Sequence, residues 1–288
     1  MTFHQRREKL RSVLSGSACV RPASVYDAIS IRIAQDLGFE IGMFAGSTAS
    51  LTVLGAPDLI VLTLSEFAGQ AYRINRAGGL PLLVDADHGY GNALNVRRTI
   101  SELEAAGAGG LTIEETLLPQ AYGEAVTQLI SLEEGVGKMK AALDGRGDPS
   151  LVIIGRTGAA SITSLDDAIA RARAYEATGV DALFFTGIKT RAELEAIASA
   201  TTLPIVLGGA PEAISDLAWL REQRVRMALQ GHAPFAAAAN AVYETLKALR
   251  GGSPPKALKG LASAELMGRL TREAEMKVRT NQFLGLKK

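Results

Sequence analysis

Residues 82–92 read LLVDADHGYGN, and with Pro81 in front four apolar residues run into Asp85, followed by Asp87, His88, Gly89 and Gly91. The run is short and apolar without polar alternation, the pattern of a parallel strand buried on both faces. Seven further runs share it: ACVRPA (18–23), IGMFAG (41–46), GLTIEE (110–115), LVIIGRT (151–157), ALFFTG (182–187), PIVLGG (204–209) and VRMALQG (225–231). Between them lie amphipathic stretches that predict helices at Tyr26–Leu37, Leu64–Arg76, Asn92–Ala106, Leu132–Leu143, Leu165–Ala177, Arg191–Ala198 and Ala213–Gln223. Gly38, Gly79, Gly107 and Gly179 mark helix ends. Eight strand–helix units predict an α/β fold, a (β/α)8 TIM-type barrel. The doubly wound alternative lacks a glycine fingerprint after its first strand.

The expected domains are a catalytic barrel over residues 1–250 and, from the linker-like RGGSPPKALKGL, a linker and C-terminal helical arm over 251–288. The chain of 288 residues is 47% hydrophobic, enough for a large core, and its 31 basic and 30 acidic residues are mixed along its length. No basic stripe points to nucleic acid and no polybasic run to a membrane surface. A single cysteine, Cys19, excludes a disulfide framework and a thiolate metal cage. The charged N-terminal stretch lacks the apolar centre of a signal peptide, and no apolar run reaches membrane-spanning length. A soluble cytoplasmic enzyme is the expectation.

In such barrels the C-terminal strand ends form the active-site face. That face receives Ser47 after the second strand, Asp85 and Asp87 after the third, Glu114 and Glu115 after the fourth, Arg156 at the fifth and His232 past the eighth. Carboxylates converging on one mouth repel unless a cation is present, and oxygen-only ligands favour Mg²⁺, with Mn²⁺ as a substitute. Strand pleating predicts that Asp85 and Asp87 point to one side. The alternative is that they cap the next helix, although that helix starts near Asn92. Zinc fits poorly, because no pair of histidines has ligand spacing.

Arg156 suits a bidentate grip on a substrate carboxylate, or else an internal ion pair with Glu114 or Asp85. Ser47 either helps hold a carboxylate or caps a helix. His232 is a substrate contact or a neighbour of a helix start. Lys189, where a Schiff-base lysine of a barrel aldolase would stand, falls past its strand at the start of a charged helix. AGSTAS (45–50) is not the G-x-S-x-G elbow of serine hydrolases.

Taken together, ASVYDAISIRIAQDLGFEIGMFAGS, DADHGYGN, LTIEET and IIGRT resemble the isocitrate lyase / phosphoenolpyruvate mutase superfamily over roughly residues 5–250. The resemblance implies Mg²⁺ and α-keto or α-hydroxy acid substrates bound through the metal. It also implies a homotetramer, a dimer of dimers, with C-terminal helices exchanged between paired subunits. It places Asp85 as the direct Mg²⁺ ligand, and Asp58, Asp87 and Glu114 as contacts through water. Ser47 and Arg156 correspond to substrate carboxylate contacts, and Tyr26 and Asp27 to a conformational element under the site.

Lyase members of that superfamily carry a Lys-x-Cys-Gly-His type segment after the fourth strand. Here the region reads TLLPQAYGEAVTQLI (116–130), without Cys or His, and also without the Asn that phosphonopyruvate enzymes use. Arg-Thr-Asp or Arg-Thr-Asn becomes Arg156-Thr157-Gly158. His232, in GHA, resembles the oxaloacetate decarboxylase branch. The expectation is therefore Mg²⁺-dependent decarboxylation of an α-keto acid, oxaloacetate, with Arg156 and His232 as catalytic residues and Ser47, Arg156 and His232 as substrate contacts. The alternatives are a C–C lyase or hydrolase acting on another α-keto or α-hydroxy acid, and a non-catalytic metabolite-binding barrel.

Overall fold

The computed structural model describes residues 1–285; the last three residues of the expected arm, 286–288, lie outside the described residues. Eight parallel strands pair in chain order: β1 (Ala23–Ser24), β2 (Gly42–Ala45), β3 (Leu82–Asp85), β4 (Gly110–Glu114), β5 (Val152–Thr157), β6 (Ala182–Phe185), β7 (Ile205–Leu207) and β8 (Val225–Ala228). The circuit closes through Val20, whose N–H donates to the Arg226 carbonyl (2.9 Å) and whose carbonyl accepts from Ala228 N–H (3.0 Å). All eight expected strands are present. The first lies later than predicted, because the 18–23 run supplies the closing bridge at Val20 while regular pairing begins at Ala23.

Helices α1 (Phe3–Ser15), α2 (Ala28–Asp36), α3 (Gly46–Ala49), α4 (Leu64–Ala77), α5 (Ala93–Ala105), α6 (Leu132–Gly145), α7 (Ala159–Ile162), α8 (Leu165–Glu176), α9 (Arg191–Ala200) and α10 (Leu217–Glu222) complete the first unit. Side-chain caps set their starts: Asp27 accepts from Ile29 and Ser30 N–H at α2, and Thr63 with Glu66 forms a capping box at α4. Asn92 caps α5 by accepting from Leu94 N–H at 2.9 Å, so Asp85 and Asp87 are not needed there. The stretch expected as one helix at Ala213–Gln223 is a 3₁₀ turn (Glu212–Ile214) followed by α10. A helical segment after β2, α3 running into a π turn at Ser50–Leu54, was not foreseen.

Strand parity divides the buried side chains into two sets. Met43, Leu83, Val152, Ile154, Phe184, Val206 and Met227 fill the barrel interior. Phe44, Val84, Ile113, Ile153, Phe185 and Leu207 point outward to the helices. Burial on both faces is why the sequence shows no alternation. Leu10 and Leu14 of α1 join the interior set, so α1 plugs the barrel end remote from the strand C-termini. Its Arg7 ties that plug down, donating to the carbonyls of Ala108 (3.0 Å) and Glu104 (2.8 Å) and pairing with Asp148 (2.8 Å).

The chain divides into two compact units at His232/Ala233, which places α11 (Ala233–Arg250) with the C-terminal segment. That second unit also contains a 3₁₀ turn (Pro255–Ala257), α12 (Ala264–Thr271) and α13 (Glu273–Leu284). The expected single terminal helix is broken at Arg272, which takes a left-handed φ of 59°. Among the described residues no helix is long and apolar enough to cross a membrane.

Candidate active site

The parity that fills the interior also decides which strand-end residues enter the mouth. Leu83 points inward, so Asp85 does too; Ile154 does, so Arg156 follows; and Thr112 and Glu114 share the inward face of β4. Register sets Asp85 opposite Thr112, Glu114 opposite Arg156, and Arg156 opposite Phe184. Asp85, Arg156 and Phe184 line a cavity of about 170 Å³.

Its walls include Ser24, Ser47, Asp58, Asp85, Asp87, Arg156 and His232. Six of the seven expected site residues therefore line it. Glu114 stands behind, 3.1 Å from Arg156 Nη2. Lys189 is exposed and outside the lining, and Tyr26 and Asp27 are outside it as well. The 116–130 loop contributes no lining residue; it folds back on itself through the Thr116–Leu129 bridge.

Both oxygens of Asp85 are engaged. Thr112 Oγ1 donates to Oδ1 at 2.7 Å, and Arg156 Nη1 donates to Oδ2 at 2.6 Å. Of the two readings of Arg156, the internal ion pair with Asp85 and Glu114 is thus formed, in a guanidinium that also faces the cavity. Its Nε is buried without a partner among the described residues, and the Phe184 ring lies 5.3 Å from its centre. Ser47 sits in the first turn of α3, whose cap position is Ala45, so it is not a plain cap.

Asp87 reaches the cavity by a route other than pleating. β3 ends at Asp85, and Asp87 adopts a left-handed φ of 48°. The turn swings its carboxylate against Gly46, the first residue of α3, where a side chain would collide with it.

Charge is out of balance here. Burial first, then the charges of Asp85 and Glu114, push the Asp87 carboxyl well above the usual carboxylate range. Burial raises Glu114, with Arg156 opposing. Asp58, on the rim, is raised by partial loss of solvent and by Asp85. Burial works against the charge of Arg156, but Asp85, Glu114 and Asp87 more than offset it and hold the guanidinium protonated. His232 is lowered by burial, although Asp85 and Asp58 pull it upward, so the neutral imidazole is favoured at neutral pH. Among the described residues, no three His, Cys, Asp or Glu side chains group as a closed metal cage.

Sequence reasoning missed Ser24 and Thr112. Ser24 Oγ lies 2.9 Å from His232 Nδ1. The apolar run at 18–23 ends one residue before it, whereas β1 extends to Ser24. Thr112 could have been found by parity, two residues before Glu114 on the same face.

The chain has relatives among known proteins, and its fold has counterparts among solved structures. A relative from Bradyrhizobium diazoefficiens, named oxaloacetate decarboxylase, is 73% identical over 288 residues, covering 100% of both chains. A solved oxaloacetate acetylhydrolase, in complex with the inhibitor 3,3-difluorooxalacetate, superposes with a TM-score of 0.85 at 26% identity, covering 99% of this chain and 98% of that one. A phosphonopyruvate hydrolase in complex with oxalate and Mg²⁺ does so with a TM-score of 0.84 at 27% identity, covering 99% and 100%. The family described as phosphoenolpyruvate phosphomutase matches residues 10–250, the whole barrel with its acidic mouth, and the chain belongs to that family.

Proposed function

We propose that the protein decarboxylates oxaloacetate to pyruvate and CO₂ with the help of a divalent cation, Mg²⁺ or Mn²⁺. The observation that carries this reading is the make-up of the cavity wall. Its ionisable groups among the described residues are Asp58, Asp85, Asp87, Arg156 and His232, with no thiol and no amine. Breaking the C3–C4 bond of a β-keto acid needs no base, since the electron pair comes from the departing carboxylate. What it needs is stabilisation of the enolate that forms, before a proton adds at C3. The full-length relative named oxaloacetate decarboxylase supports the same substrate.

The donor set fits a hard cation. Asp58, Asp87 and Glu114 are all pushed toward protonation by crowding and burial, with Arg156 as the opposing charge, and a divalent ion would relieve that excess. Asp85 would hold it directly through Oδ2, which has a lone pair beyond its bond to Arg156, whereas Oδ1 already accepts from Thr112 Oγ1 and, at 3.4 Å, from Asp87 N–H; Asp58, Asp87 and Glu114 would hold its waters. Bound there, the cation supplies Lewis-acid stabilisation of enolate charge. Arg156 presents fixed positive charge to the substrate. Ser47 contributes its hydroxyl to the substrate carboxylate. His232, neutral and held at Nδ1 by Ser24, contacts the substrate without adding charge.

Turnover of a panel of α-keto acids, with and without chelator, tests the reading. Pyruvate and CO₂ from oxaloacetate, lost on chelation and restored by Mg²⁺ or Mn²⁺, is the expected result; full activity with metal confirmed absent overturns the metal role. The fold of the oxaloacetate acetylhydrolase favours one second reading, hydrolysis of oxaloacetate to oxalate and acetate, which product analysis separates. No turnover of any α-keto acid would favour a metabolite-binding barrel.

The proposed setting is the cytoplasm and the proposed assembly a homotetramer, a dimer of dimers whose C-terminal arm, taken as 251–288 beyond a barrel domain of 1–250, docks on another subunit. Exposed apolar Leu261, Met267, Val278 and Phe283 on that segment support the docking role. Light scattering at micromolar concentration should return a tetramer, and truncation after Leu249 should release smaller species.

A further inference from the structure

The two adjacent glutamates of β4 face opposite ways. Glu114 points to the mouth, whereas Glu115, 1% exposed, points out into the layer under α6 and α8. Burying a carboxylate is costly unless it is well bonded, and Glu115 is. Its Oε1 accepts from Thr157 Oγ1 (2.6 Å) and Gly158 N–H (3.2 Å), and its Oε2 accepts from Tyr175 Oη (3.4 Å). Thr157 and Gly158 directly follow Arg156. On the other side of Arg156, Gly155 leaves no room either: a β-carbon there would lie 3.1 Å from the Tyr175 ring and 3.3 Å from Met139 Sδ. The backbone of Arg156 is therefore pinned on both sides by outward-facing neighbours while its own side chain points in.

Glu115 also reaches the 116–130 loop. Its carbonyl accepts from Ile130 N–H at 2.9 Å, and the Ile130 carbonyl accepts from Arg171 Nη2 at 3.0 Å. One buried residue thus holds both the returning root of that loop and the end of the strand that carries Arg156.

We propose that Glu115 is a positioning residue for Arg156, acting through Thr157 and Gly158 to fix where the guanidinium meets the substrate. The inference rests on reading Arg156 as a substrate contact. Misplacing a substrate-orienting group by about 1 Å is enough to cost up to roughly a hundredfold in rate.

The test is a cycle of Thr157→Val, which removes the shorter of the two bonds to Glu115, together with the bond that Thr157 Oγ1 accepts from Ala159 N–H (3.1 Å), while keeping the side-chain shape and the Gly158 bond, and Arg156→Lys, measured singly and together. Two readouts are used: kcat and KM for oxaloacetate, and oxalate affinity by calorimetry in Mg²⁺, which requires no turnover. Thr157→Val should lower kcat by about tenfold or more, with a cooperative melt retained. In the Arg156→Lys background the same change should cost no more than roughly twofold. Glu115→Gln, whose amide oxygen still accepts from Thr157, should lose less than Glu115→Leu. Equal losses in both backgrounds would show that the network acts independently of Arg156 and would overturn the proposal, as would an unchanged kcat and oxalate affinity in Thr157→Val. If Arg156→Lys alone changed neither readout, the substrate-contact reading itself would fall. If wild type turned over no oxaloacetate, the reaction assignment would fall, and the oxalate cycle would still judge Glu115.

Discussion

Asp87 rests its carboxylate against the backbone of Gly46: a β-carbon built on that glycine would stand 2.1 Å from Asp87 Oδ2. The contact joins the turn after β3 to the start of α3, and so joins a proposed metal-water residue to the helix that carries Ser47. Gly46→Ala must displace one of the two. Mg²⁺ affinity is expected to fall by about 10–100-fold, the range for disturbing a residue that orients a metal's ligand sphere. Titration calorimetry checks it, and unchanged affinity would show that Asp87 tolerates the displacement.

The Ser24–His232 bond predicts a graded pair of losses. His232→Ala should cost about 1–3 kcal/mol in transition-state terms, as expected for one polar contact to a charged substrate. Ser24→Ala should cost less, because the imidazole remains and only its orientation loosens. The double variant should resemble His232→Ala alone, while full additivity in kcat/KM would mean that the serine acts elsewhere. Metal affinity should be the same in all three.

His88 supplies a pH dependence. It is 3% exposed, its Nδ1 has no partner among the described residues, and burial, with Lys138 nearby, lowers its pKa from 6.5 to about 4. The unfolded chain binds this proton below 6.5 and the folded protein does not until about 4. The contribution of His88 to stability is therefore whole above pH 6.5 and is lost between there and pH 4, amounting at most to about 3 kcal/mol. Buried carboxylates with raised values work in the opposite direction, so the informative quantity is the difference from His88→Asn. Denaturant melts from pH 7 to pH 4 should show the stability advantage of wild type over the variant shrinking; parallel curves would contradict the assignment.

Much of this architecture is legible in the residues alone. The eight apolar runs were legible because burial on both faces leaves a continuous hydrophobic signal, and once they were ordered the strand ends located Ser47, Asp85, Arg156 and His232. Ser24 was not legible: β1 has only two paired residues, too few to fix its end. Asp87 was placed on the right side for the wrong reason, since a left-handed turn rather than strand pleating brings it in. The ion pair between Arg156 and Asp85 is one of two readings that the sequence leaves open, because it depends on cross-barrel distances that no spacing along the chain encodes.

The plug at the opposite end separates stability from chemistry. Leu10 is fully buried in the barrel interior, so Leu10→Ala should destabilise the fold by about 2–5 kcal/mol, the range for opening a cavity in a core. Equilibrium unfolding measures it. Far from the mouth, the change should leave KM for oxaloacetate near its wild-type value at a temperature where the variant is folded.

The closing bridge at Val20 gives the barrel a seam. Elsewhere neighbouring strands are laced by ladders, but the first and last meet through a single residue, and the Ser24–His232 bond crosses that same gap at the mouth. Breathing of the wall should concentrate there, with the amide hydrogens of Val20 and Ala228 exchanging with solvent sooner than those inside β4 and β5. A ligand that engaged His232 would bear on this seam as well as on the cavity, because the imidazole is bonded across it to Ser24.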